Sequence, residues 1–109
     1  MKVIFIPEVR LYLQELEHIL YYNHYFDSND SARKYVMELW GDIVTYLPAM
    51  VAKTAPPSFN RFGMGMHYAT FRKNKQTSWY VFFTEYEVEG EIVFLIRHIT
   101  NNHVIAQYL

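Results

Sequence analysis

Ser78-Trp79-Tyr80-Val81-Phe82-Phe83-Thr84-Glu85-Tyr86 and Glu91-Ile92-Val93-Phe94-Leu95-Ile96-Arg97-His98 are the runs on which the fold turns. Aromatic and β-branched residues dominate both, as suits strands with a buried face. Between them lies Glu87-Val88-Glu89-Gly90, and glycine takes positive φ at no steric cost, so a tight hairpin is predicted. With Glu89-Gly90 as the loop, Val88 pairs with Glu91, Tyr86 with Val93, Thr84 with Leu95 and Phe82 with Arg97. One face then carries Trp79, Val81, Phe83, Ile92, Phe94 and Ile96, and is predicted to cover the core. The other carries Tyr80, Phe82, Thr84, Tyr86, Val93, Leu95 and Arg97, a mixed surface able to meet a partner or substrate. In this register His98 has the core-facing parity, and a one-residue slip would mix the two sets.

Working outward, His67-Tyr68-Ala69-Thr70-Phe71-Arg72-Lys73 reads as the preceding strand, joined to the hairpin by the polar turn Asn74-Lys75-Gln76-Thr77. Ala49 to Met66 has no clean period and is expected to be a long loop, with a helical turn near Ala49 to Lys53. Its Phe59, Phe62, Met64 and Met66 either pin the loop to the domain or line a groove. Further back, Val9, Tyr12, Leu13, Leu16, Ile19 and Leu20 form one helical stripe, predicted to run to about Tyr25. The cluster Asp27-Ser28-Asn29-Asp30-Ser31 is a turn and N-cap. A second stripe follows at Ala32, Tyr35, Val36, Leu39, Trp40, Ile43, Val44 and Leu47, stopped by Pro48. So brief a link makes the helices an antiparallel hairpin. Lys2 to Ile6 is a short strand ended by Pro7. Thr100 to His103 breaks the last strand, and Val104 to Leu109 is either a further strand or a short helix.

The expected class is α+β. An N-terminal strand and an antiparallel two-helix hairpin precede a three- to four-stranded, mainly antiparallel twisted sheet, all in a single domain over 1–109. The 109 residues suffice for one core, and an apolar fraction of 51% argues against disorder. There is no cysteine, which excludes disulfides and thiolate metal sites. The opening segment does not read as a signal peptide, and no apolar run approaches the length of a membrane span. A cytoplasmic protein is expected. The formal net charge of −1 argues against broad, non-specific nucleic-acid binding but leaves room for a local basic patch.

The order of elements resembles the RelE/ParE superfamily of type II toxin–antitoxin toxins. The resemblance rests on the N-terminal strand with two amphipathic helices, on Tyr68-Ala69-Thr70-Phe71-Arg72-Lys73 followed by Trp79-Tyr80-Val81-Phe82-Phe83, and on Ile92-Val93-Phe94-Leu95-Ile96-Arg97-His98-Ile99. It implies a small twisted sheet backed by two helices, and a cognate antitoxin as partner. Some members cut mRNA on the ribosome with cationic and aromatic or histidine side chains; others inhibit DNA gyrase by binding. The chain departs from both patterns, being slightly acidic and following Arg97 with His98-Ile99-Thr100. A toxin that cuts mRNA is the leading expectation. A gyrase-binding or inactive toxin-fold protein is the alternative. Homodimers and hetero-oligomers with an antitoxin are both compatible.

Metal-independent RNA cleavage needs a base for the 2′-hydroxyl, cations at the phosphate and an acid for the leaving oxygen. Arg97 is the candidate phosphate clamp, because guanidinium matches phosphate in a bidentate way. No acidic residue stands at its nearest cross-strand positions, so it is expected to reach solvent. His103, one short turn later, Tyr108 and Arg72 complete the candidate catalytic set. Arg61, Lys73, Lys75 and His98 are candidate substrate-binding residues, with His98 and His103 able to titrate near neutrality. Arg72 and Lys73 leave their strand on opposite faces, so at most one shares Arg97's face. Neither a metal nor a cofactor is expected, since His98 and His103 lack a third ligand at metal-site spacing.

Overall fold

The computed structural model describes residues 1–23 and 26–105. The chain runs β1 (Lys2–Phe5), α1 (Pro7–Tyr22), α2 (Asn29–Tyr46), β2 (Lys53–Thr54), β3 (His67–Arg72), β4 (Ser78–Val88), β5 (Glu91–Asn101) and a closing turn of helix α3 (Asn102–Ile105). Short 3-10 segments stand at Leu47–Ala49 and Pro57–Phe62. The class is α+β, with a five-stranded sheet in the order β1-β5-β4-β3-β2. The sheet is mixed, because β1 lies parallel to β5 while the other neighbours are antiparallel. The strand count stays within the expected range, but the fourth strand after the helices is β2, from the expected long loop, whose helical turn falls at Leu47–Ala49, earlier than Ala49 to Lys53. Strand β5 also runs past the expected break at Thr100, because Thr100 and Asn101 still pair with Tyr80 and Trp79.

The helices form where their stripes require. Pro7 occupies the first turn of α1, where its missing N–H costs nothing. Ser28 caps α2, its hydroxyl accepting from the Ser31 N–H at 3.2 Å. Helix α1 ends at Tyr22, short of Tyr25, which lies outside the described residues. Val9, Leu13 and Leu16 of α1 and Ala32, Val36, Leu39 and Ile43 of α2 are buried. They pack on Trp79, Val81, Phe83, Phe94 and Ile96, the predicted core face of the sheet. The Trp79 indole N–H donates to the Tyr35 hydroxyl at 2.8 Å, so the one polar atom of that buried ring is satisfied.

The opposite face of the sheet is partly covered. The 3-10 segment Pro57–Phe62 lies over it, with Phe59 stacked on Phe82 at a centroid distance of 4.4 Å. Phe59, Met66, Tyr68 and Phe82 form a second, smaller core there. Phe59 and Met66 therefore pin the long connection to the domain, while Met64 at its tip is exposed.

The predicted hairpin register holds from Val88↔Glu91 to Phe83↔Ile96, and Glu89 and Gly90 both take positive φ as a two-residue turn requires. It then slips. Phe82 pairs with His98, not with Arg97, because a β-bulge inserts Arg97 as an extra residue. The bulge reverses the parity of everything after it. Ile99 turns onto the helix side and is buried in the main core. His98, expected on the core-facing side, turns to the opposite face. Uninterrupted alternation would have buried the imidazole among hydrocarbon and left Ile99 outside, at a cost in both transfer terms.

Candidate functional site

The bulge sets Arg97 and His98 side by side on the face away from the helices. Arg97 Nε donates to Thr84 Oγ1 at 3.0 Å, and its Nη2 to Tyr86 Oη at 2.9 Å. Both partners are hydroxyls, and among the described residues no carboxylate lies within ion-pair distance of this guanidinium. Its remaining N–H groups are free to meet an anion. The side chain runs beneath the 57–66 connection at Gly63, where a Cβ would stand 2.7 Å from Arg97 Cδ. Gly63 thus makes room for the stem of Arg97.

His98 stacks flat on Phe62, with centroids 3.8 Å apart and planes 9° from parallel. Burial, and secondarily the charge of Arg61, pushes the imidazole down to about 4. His98 is therefore neutral near neutrality, and does not titrate there as expected from its type. Arg61 follows from the same short segment and lays its guanidinium 4.8 Å from the centre of the Phe62 ring. Arg61, Phe62, Arg97 and His98 line one side of a cleft of about 730 Å³. The far side is the start of α1, from Ile6 to Val9 with Tyr12. The cleft exists because β1 pairs only with Val93 to Ile96 and then turns into α1, so that among the described residues no strand borders the edge of β5 from Arg97 onward. Glu8 brings a carboxylate to the same cleft from the first turn of α1, where it also faces the helix dipole favourably.

The other candidates lie elsewhere. His103 Nε2 is 3.1 Å from Thr77 Oγ1, at the end of β4 remote from Thr84. Those positions are about 23 Å apart at the rise of an extended strand, so His103 does not border Arg97. Arg72 shares the parity of the mixed face but bends back on its own turn, donating to the carbonyls of Asn74 and Lys75 at 3.1 and 3.4 Å. Asn102 ties that turn to β5, accepting from the Ser78 N–H and donating to the Gln76 carbonyl, each at 2.9 Å. Arg72 and His103 thus belong to a structural knot at the β3–β4 turn, with Lys75 exposed upon it. Lys73 leaves on the helix side and lies 3.8 and 3.7 Å from Glu38 and Asp42 of α2. Tyr108 lies outside the described residues.

Of the predicted set, then, the structure gathers Arg61, Arg97 and His98. Sequence reasoning missed Tyr86, Phe62 and Glu8 as their neighbours. Tyr86 had a usable signal, since it shares the face and strand of Thr84, two positions on. Phe62 had a partial signal, as a loop aromatic next to Arg61 and a candidate to line a groove; Glu8 had none, because it arrives from a distant segment. Among the described residues no His, Asp and Glu side chains gather in a group that could hold a metal ion, and no helix is long and apolar enough to cross a membrane. Compared with protein-family models, curated proteins and solved structures, the chain matches none.

Proposed function

We propose that this chain is a cytoplasmic toxin of the RelE/ParE type that acts on messenger RNA through the Arg61–Arg97–His98 cleft and is held in check by a cognate antitoxin. The observation that supports the RNA reading is the bulge at Arg97. It offers a guanidinium whose partners among the described residues are hydroxyls, at an open cleft that Arg61 also lines. Guanidinium pairs match a phosphodiester, and the low net charge confines binding to this local patch. Glu8 is the group in the cleft that could accept a 2′-hydroxyl proton.

A second reading is supported by the separation of His103 from Arg97 and by the neutrality of His98. The cleft then binds without cutting, and the toxin inhibits its target, DNA gyrase being the alternative, by contact alone.

Induction in cells distinguishes these. Loss of translation with fragmented transcripts is expected for RNA cleavage; DNA-damage signalling with translation intact is expected for gyrase. Arg97→Ala should abolish growth arrest while melting like the parent, and Arg97→Lys should restore part of the arrest, since ammonium lacks the planar fork. Full arrest by a well-folded Arg97→Ala protein would remove the cleft from the mechanism.

A further inference from the structure

We propose that the projecting arm of β4, Thr84 to Val88, is a strand-addition site for an extended peptide segment in which apolar and basic residues alternate. The pairing of β3 with β4 stops at His67↔Phe83, so beyond Phe83 no strand among the described residues lies beside the outer side of β4. The direction of its backbone groups follows from the ladder. The Ile6 N–H donates to the Ile96 carbonyl at 3.1 Å, so Ile96 presents its backbone groups to β1. Its partner Phe83 therefore presents its own toward β3. By alternation the N–H and C=O groups of Glu85 and Glu87 point the same way, onto the open edge. Among the described residues these donors and acceptors have no strand partner, and they stand in strand geometry, the template that an incoming strand needs.

Side chains on this arm specify the guest. Glu85 and Glu87 lie on the parity of Phe83 and are exposed. Tyr86 and Val88 lie on the other parity and are also exposed, at 43% and 54%. A guest strand places residues directly opposite Glu85 and Glu87, two positions apart, and opposite charge is favoured there. Residues opposite Tyr86 and Val88 meet the exposed ring and methyl groups of those two side chains. The matching pattern is apolar–basic–apolar–basic–apolar. A second copy of this chain is disfavoured, because antiparallel self-pairing about Tyr86 sets Glu85 against Glu87 twice, and like charges directly opposite repel. The arm shares Thr84 and Tyr86 with the bonds that hold Arg97, but its backbone edge at Glu85 and Glu87 faces away from β5, and the proposal stands whether or not the cleft binds RNA.

The test uses the full chain with the synthetic peptides acetyl-Val-Lys-Val-Lys-Val-amide and acetyl-Val-Glu-Val-Glu-Val-amide, followed by amide NMR shifts and hydrogen exchange. The lysine peptide should shift and protect the amides of Glu85 and Glu87 at up to roughly millimolar concentration. The glutamate peptide should bind at least about tenfold more weakly, and the double variant Glu85→Lys, Glu87→Lys should reverse the preference. Both substitutions are at exposed positions, and a thermal melt checks that the fold is kept. Equal binding of the two peptides, shifts confined to another edge such as β3 or Arg97 to Thr100, no binding at these concentrations, or a self-associated dimer protecting Glu85 and Glu87 would each overturn the proposal.

Discussion

His98 shows how far environment overrides residue type. Its imidazole is held at about 4, against an ordinary 6.5, by burial and by Arg61. The sign of the consequence is fixed. Above about 6.5 the ring is neutral in both states and costs nothing. As pH falls from 6.5 to about 4 the unfolded chain binds the proton first, so stability drops through that window and levels off below it. Discounted for the part of the ring that faces solvent, the loss is about 1–2 kcal/mol. Urea denaturation at successive pH values should show this slope, and His98→Gln should flatten it. Arg97 illustrates the converse case. Its face was legible from strand alternation, which also put Thr84 and Tyr86 beside it, but its passage under Gly63 was not.

The 3-10 segment Pro57–Phe62 is the element that turns a bare sheet face into a site. It has no apolar period, so its position could not be read from pattern; a few aromatic side chains hold it. Phe59 is the pin, buried and stacked on Phe82. Phe59→Ala should cost about 3–5 kcal/mol in chemical denaturation. It should also let water reach His98, so an NMR titration of its ring should move up from about 4 toward the ordinary value. A stability loss with the His98 titration unchanged would show that Phe62 alone shields the ring. The bulge in β5 is the second such element. Ile96 and Ile99 are three apart, a spacing that alternation cannot bury on one face, and this was the overlooked sign of an inserted residue.

The molecule as a whole rests on the core between the helix pair and the sheet, where Trp79, Phe83, Phe94 and Ile96 are all buried as the hairpin register predicted. Phe94→Ala should cost about 3–5 kcal/mol by equilibrium unfolding, because closely packed neighbours cannot collapse to fill the space. An exposed substitution such as Glu85→Gln should leave the midpoint nearly unchanged. The centres of the helix stripes, the caps, the hairpin turn and the core face were contained in the sequence, since each depends on residues a few positions apart and on the periods of helix and strand. Ile19 and Val44, expected inward at the stripe margins, are exposed instead because the sheet covers only the middle of each stripe. Tertiary structure alone decided the parallel docking of β1 on β5 and the meeting of Arg61, Arg97 and Glu8 at one cleft. Those outcomes depend on which distant segments share a sheet edge or a face. Local periodicity carries no information about that choice, which the burial of apolar surface settles only when the chain is assembled.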